Sequence, residues 1–140
     1  MYRLPKVSLV PLKKKNEAFI SLLHQQEIGS TWIKSEQDQV YEIQLGKQCV
    51  GLVMLSMIAP EANLINLAVE KPLQNMGIGK QALQLLIKKL TRSKVSMLHL
   101  EVREQSPALR FYLRQGFYST GLRKAYYADG EHAILMTKQI

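Results

Sequence analysis

The sequence predicts an α/β fold: a mixed, mostly antiparallel sheet built around one central parallel strand–helix–strand unit. Three observations predict it. Two apolar runs, residues 40–45 and 49–58, flank the turn signal Gly46-Lys47 and read as a hairpin. The runs 62–69 and 97–103 are separated by an amphipathic helical pattern, which makes them a parallel crossover, right-handed by the chirality of twisted strands. Two further strand-like runs close the chain around the turn signal Ala128-Asp129-Gly130.

The elements follow in order. Asn16 is placed to cap a first helix, whose apolar side is Phe19, Ile20, Leu22 and Leu23 and which reaches about residue 26. Gly29 and Ser30 break it, and residues 32–39 favour no state. The run 62–69 is apolar at most positions, which predicts burial on both faces. A loop with Pro72 leads to a helix whose wide apolar face is Ile78, Ala82, Leu83, Leu85, Leu86, Ile87 and Leu90, ending near Thr91. In 97–103 the alternation is clean: Leu98, Leu100 and Val102 point one way, and His99, Glu101 and Arg103 the other. Pro107 suits the first turn of a short helix to about Arg114, with Gly116 at C′. Residues 117–122 and 133–138 form the closing pair.

At 140 residues the chain is the size of one domain, and 46% hydrophobic content excludes a disordered chain. Cys49 is the only cysteine, so an intramolecular disulfide and a zinc site of several cysteines are excluded. His24, His99 and His132 lack metal-ligand spacing, and no metal is expected. The longest apolar stretch, residues 49–59, is short of the about 20 residues a bilayer helix needs. Residues 1–10 carry Arg3, Pro5 and Lys6 without an apolar signal core, so a cytoplasmic protein is expected. Nineteen basic against eleven acidic residues leave a formal charge of +8. That balance suits an anionic partner and equally suits simple solubility. Lys13-Lys14-Lys15 reads as a solvated helix start, Trp32 as core, and Cys49 as a strand thiol with no base nearby in sequence to activate it.

The segment Gln74-Asn75-Met76-Gly77-Ile78-Gly79-Lys80 follows a strand and opens a helix. Free N–H groups and aligned peptide dipoles at a helix start attract anions, and glycines let a phosphate approach the backbone. On spacing alone the segment is equally an ordinary loop. It fails the G-x-x-x-x-G-K-[ST] phosphate loop because Gln81 follows Gly79-Lys80. It also lacks the acidic residue that a dinucleotide fold places about 20 residues on.

The segment resembles the acyl-coenzyme-A loop, Q-x-x-G-x-G, of the GNAT superfamily of N-acetyltransferases. Residues 108–117, ALRFYLRQGF, are similar to that superfamily's A-x-x-L-Y-x-x-x-G-F signature, with Phe111 replacing leucine. Leu100-Glu101-Val102-Arg103 resembles the LEVR strand of the ribosomal-protein alanine N-acetyltransferases, and residues 123–133 resemble that group's R-x-x-Y-Y…D-G-x-x-A ending. The resemblance implies a GNAT-like sheet with helices on both faces and acetyl-CoA as co-substrate. The implied acceptor is a protein N-terminus, that of a ribosomal protein by the resemblance to the ribosomal-protein group. No membrane partner is expected from so short an apolar stretch, and the lack of RNP-like interleaved aromatics and of a helix-turn-helix signature counts against nucleic acid. It further implies that Gln74, Asn75, Met76, Gly77, Ile78, Gly79 and Lys80 hold the pyrophosphate, and that the backbone of Leu67, Ala68 and Val69 pairs with the pantetheine arm. An N–H near Val69 would then face the thioester oxygen. Gln105 stands where the family usually has an asparagine and is taken with the coenzyme contacts.

Two residues are candidates for proton transfer. Glu101 is the candidate base, acting through a water; its alternative is a surface glutamate beside His99 and Arg103. Tyr112 is the candidate acid for the departing thiolate; its alternative is a packed helix tyrosine. Tyr126 and Tyr127 either line the peptide groove or are plain strand residues, and His99 is either a relay or a satisfied sheet residue. An α-amine with pKa near 8 is roughly 10% neutral at pH 7, against about 0.04% for lysine. That favours a protein N-terminus over lysine as acceptor. The runner-up reading is acetylation of a small amine of polyamine or aminoglycoside type, and a remote one is a non-catalytic module that binds coenzyme A or nucleic acid.

Overall fold

The computed structural model describes residues 5–28 and 38–140. Trp32 and the helix breakers Gly29 and Ser30 lie outside the described residues. Among the described residues, seven strands form one sheet: β1 (Val7–Pro11), β2 (Asp38–Leu45), β3 (Gln48–Ile58), β4 (Glu61–Val69), β5 (Met97–Arg103), β6 (Tyr118–Arg123) and β7 (Ala133–Gln139). Their order is β1-β2-β3-β4-β5-β7-β6. Only β4 and β5 pair in parallel, joined by helix α2 (Ile78–Arg92). The other helices are α1 (Glu17–Ile28) and α3 (Pro107–Arg114).

The predicted hairpin, crossover and closing pair are all present. The N-terminal strand β1 was not legible in the sequence. It is five residues long and only Val7 is buried, so it carries too short an alternation to announce itself.

Helices cover both faces. On one face α2 and α3 bury Ile78, Ala82, Leu83, Leu86, Leu90 and Tyr112 against Val53, Leu55, Leu64, Leu98, Leu100 and Val102. On the other, α1 sets Ile20 and Leu23 on Leu52, Met54 and Ala68. Leu22, expected on the apolar side of α1, is 56% exposed, because only one narrow stripe of this helix meets the sheet.

The expectation that residues 62–69 are buried on both faces holds only for the last residues of β4. Asn63 is exposed and Ile65 is 37% exposed. The pairing explains it: Leu55 faces Leu64 and Met54 faces Asn66, so Ile65 is a bulge without a partner on β3. The bulge reverses the alternation, and from Asn66 onward the strand presents its side chains to opposite layers from before. Close approach of β3 and β4 continues to the strand end at Gly51, where a Cβ would collide with the Ala68 carbonyl oxygen.

Asn16 ends a 3-10 turn immediately before α1, but its amide donates to Glu42 Oε1 at 2.9 Å. Glu42 is fully buried. Its carboxylate also accepts from Lys13 N–H (2.7 Å) and Gln44 Nε2 (3.2 Å). Burial pushes its pKa up, but the hydrogen bonds from Asn16, Lys13 and Gln44 outweigh burial and hold it below the ordinary value. A carboxylate depressed in the folded state stabilises above its unfolded pKa, near 4.3, and that gain is lost as pH falls through the folded value. Glu42→Gln cannot satisfy all three donors and should cost about 1–3 kcal/mol at neutral pH. Thermal melts at stepped pH should show the wild-type advantage over Glu42→Gln shrinking below about pH 4; an advantage constant down to acid pH would refute this account.

Candidate active site

The segment after β4 turns sharply. Gln74 anchors it, donating from Nε2 to the Val69 carbonyl at 2.9 Å. Asn75 and Gly77 take positive φ, 63° and 82°, and Gly77 immediately precedes α2. A side chain at Gly77 would be strained by its backbone. The first bond into the helix runs from Gln81 N–H to the Gly77 carbonyl at 3.1 Å. The N–H groups of Ile78, Gly79 and Lys80 therefore have no helical acceptor. Ile78 roots the turn by burying its side chain, while Met76 and Lys80 are exposed. A Cβ at Gly77 would meet nothing within 4 Å, and one at Gly79 only Phe111 at 3.9 Å. The arrangement fits a diphosphate: uncommitted donors, a helix start, bare backbone and a nearby ammonium.

The parallel ladder is short. It runs from Glu61↔Met97 to Leu64↔Leu100 and stops. Beyond it β4 and β5 part, leaving residues 65–69 without a strand neighbour on that side among the described residues. A cleft opens there, lined by Leu64, Ile65, Asn66 and Leu67 from β4 and by Leu100, Glu101, Val102 and Arg103 from β5. Ser106, Ala108, Tyr112 and Tyr127 complete the walls. Of the three β4 residues taken with the pantetheine arm, Leu67 lines this cleft; the side chains of Ala68 and Val69 are buried in the two cores, leaving only their backbone at the parted edge.

Glu101 and Tyr112 both line the cleft. The Glu101 side chain is 32% exposed, and its Oε1 sits 3.2 Å from Arg123 Nε. Its charge is the main cause that raises the Tyr126 phenol above its ordinary pKa. Tyr112 is buried, edge-on to Phe111 (5.1 Å between centroids) and to Phe117 (5.4 Å). Burial pushes its pKa well above the ordinary value of about ten. Among the described residues its hydroxyl has no hydrogen-bond partner. An unpartnered hydroxyl inside a cleft wall is the kind of group a ligand satisfies.

Ser106 caps α3 by accepting from Ala108 N–H at 3.1 Å, with Pro107 in the first turn. Gln105 is exposed, and its backbone N–H donates to Glu131 Oε2 at 2.9 Å. The other Glu131 oxygen meets Arg103 at 3.0 Å, and Asp129 meets the same Arg103 nitrogen at 2.9 Å. The guanidinium also stacks 3.9 Å from the Tyr127 ring centroid. Arg103 thus ties the β6–β7 loop to the end of β5 and sets Tyr127 in the cleft wall. Tyr126 and Tyr127 are loop residues rather than strand residues, and Tyr126 is half exposed.

The remaining candidates are structural. His99 is satisfied at both ring nitrogens, by Thr137 Oγ1 (2.7 Å) and Glu61 Oε1 (3.1 Å). The Cys49 thiol is pushed up to about 11 by burial and by the Glu42 charge, so it stays protonated. Sequence reasoning missed Arg103 as an organising residue and missed a polar pair on β4 and α1, Asn66 with His24. A lone asparagine inside the apolar run Leu64–Val69 was the available signal for the second.

The fold and the site define a class: a mixed α/β protein with an anion-suited helix start at the mouth of a split sheet. The chain belongs to the Acetyltransferase (GNAT) family, whose profile matches residues 11–117. It is 36% identical over 93 residues to a [Ribosomal protein bS18]-alanine N-acetyltransferase of Haemophilus influenzae, covering 64% of each chain. It is 31% identical over 116 residues to the Escherichia coli (strain K12) protein of that name, covering 79% of this chain and 78% of that one. The chain thus spans just under two thirds of the Haemophilus relative. The crystal structure of the Escherichia coli ribosomal-protein-S18-alanine N-acetyltransferase superposes with a TM-score of 0.80 at 25% identity, over 96% of this chain and 94% of that one.

Proposed function

We propose that residues 1–140 form an acetyl-CoA-dependent N-acetyltransferase domain that acts on the N-terminal α-amine of a protein. One observation carries the reading most: a split between β4 and β5 with a carboxylate on its walls and a buried phenol that has no partner among the described residues. The family and the named relatives support the same chemistry.

When bound, acetyl-CoA supplies an activated acetyl thioester. The N–H groups of Ile78, Gly79 and Lys80 hold the diphosphate, and Gln74 braces the turn that presents them rather than reaching outward itself. The parted edge of β4, Leu67 to Val69, holds the pantetheine arm by strand-like pairing. A backbone N–H on that edge stabilises charge developing on the thioester oxygen, an effect typically worth ~3 kcal/mol. Glu101 accepts the acceptor's proton through a water. Tyr112, held protonated by burial, donates to the departing sulfur.

The acceptor proposed is a ribosomal protein, and the place of action the cytoplasm. The net charge of +8 counts against small cationic amines, which a basic protein steers poorly. The test is thiol release from acetyl-CoA with panels of N-terminal peptides, lysine peptides and polyamines. N-terminal peptides should lead lysine peptides by about 200-fold, following their neutral fractions near pH 7. Turnover of polyamines with none on peptides would overturn the acceptor assignment. Absence of coenzyme A uptake in calorimetry would overturn the whole reading.

A further inference from the structure

Asn66 and Glu101 share one face of the sheet. Leu64 and Leu100 are register partners and both enter the core under α2, so Asn63 and His99 point to the opposite side, as does Glu101 two residues on. An unbroken β4 would send Asn66 back toward α2. The bulge at Ile65 instead turns it to the α1 side, which its contact with His24 and the neighbouring Ala68 in the α1 core both show. Asn66 and Glu101 therefore flank the cleft from opposite strands, on the same side of the sheet.

Asn66 is 7% exposed and His24 3%. Asn66 Nδ2 lies 3.1 Å from His24 Nδ1. The amide nitrogen can only donate, so Nδ1 is the acceptor, in the tautomer that carries its proton on Nε2; burial lowers the pKa of His24 and favours that neutral ring. One Nδ2 hydrogen of the asparagine is thereby committed to α1, which fixes the orientation of the amide. Its Oδ1 meets no donor among the described residues, although Asn66 lines the cleft. A buried amide oxygen without a donor among the described residues is a group that a ligand can satisfy. A surface explanation fails at this burial, and an apolar residue would serve packing better.

We propose that Asn66 binds the acceptor amine through Oδ1, and that His24 is the positioning residue that holds the amide in that orientation. The inference rests on the amine-acetylating function above and extends it to the recognition of the nucleophile. A neutral primary amine carries two N–H bonds and one lone pair. One hydrogen is directed to the Glu101 side for removal, the second to Asn66 Oδ1, and the lone pair is left for the acyl carbon. The site is thereby built for primary amines, whose second hydrogen it uses.

The test compares wild type, Asn66→Ala, His24→Leu and His24→Gln, with an N-terminal peptide as acceptor and coenzyme A calorimetry as the control for folding. Asn66→Ala should lower kcat/KM for the peptide about 10–100-fold, mostly through KM, with the Kd for coenzyme A within about twofold. His24→Leu frees the amide to rotate and should lose about 5–10-fold. His24→Gln, which offers Asn66 an amide oxygen in place of Nδ1, should recover most of that loss. A structural role alone would move coenzyme binding with the peptide constants and show no rescue. If Asn66→Ala does not fold, the His24 pair decides, since Asn66 itself is retained in both. Wild-type turnover with unchanged constants in Asn66→Ala, or equal losses in His24→Leu and His24→Gln, overturns this inference alone. A wild type that acetylates no amine overturns it together with the reading on which it rests.

Discussion

Glu101→Gln should lower turnover on an N-terminal peptide by about 10²–10⁴, the usual contribution of a positioned general base. The substitution keeps the shape of the side chain and its ability to accept from Arg123 Nε, 3.2 Å away, but removes the capacity to take a proton. Little stability should be lost, because an exposed pair of this kind is worth no more than about 1 kcal/mol. Coenzyme affinity should stay within about twofold, since the phosphate cradle lies on another segment. The deficit should narrow above about pH 8, where an α-amine arrives already neutral. Stopped-flow thiol release across pH, paired with calorimetry, measures all of this. Turnover within threefold of wild type at neutral pH would make Glu101 a surface residue.

Tyr112→Phe should lower kcat over a similar range while leaving the melting temperature unchanged or slightly raised. The hydroxyl has no partner among the described residues, so removing it from a buried site forfeits no hydrogen bond and relieves a desolvated polar group. The ring would remain edge-on to Phe111 and Phe117. A phenol raised by burial is a weaker acid than a thiol of pKa ~8.5, so full transfer to a free thiolate runs uphill. The hydroxyl is suited to sharing its proton with the sulfur while the carbon–sulfur bond breaks. A lowered melting temperature with unchanged kcat would return Tyr112 to the role of core residue.

Much of the site was legible because its parts are local. The turn before α2 is written in Gly77 and in the apolar period that follows it, and α3 in Pro107 and Gly116. The alternation of 97–103 placed Glu101 opposite Leu100 and Val102 without reference to any other strand. What stayed hidden depended on partners far along the chain. The β4 bulge is a mismatch with β3, visible only when Met54 and Leu55 are set against Asn66 and Leu64. Arg103 acquires its role from Asp129, Glu131 and Tyr127, and Asn66 from His24, 42 positions earlier. The short strand β1 is held by its register with β2, not by a pattern of its own.

By itself, the sequence determined the class of fold and the order of its elements apart from β1, because periodicity, capping and turn chemistry act over a few residues; the phosphate-suited turn and the two proton-transfer candidates came from its resemblance to the GNAT signatures. Only the tertiary structure decided where the parallel ladder stops, which side of β4 faces the cleft after Ile65, and which polar groups are left without partners. Those outcomes are set by pairing between distant strands and by burial, and neither exists until the chain has folded.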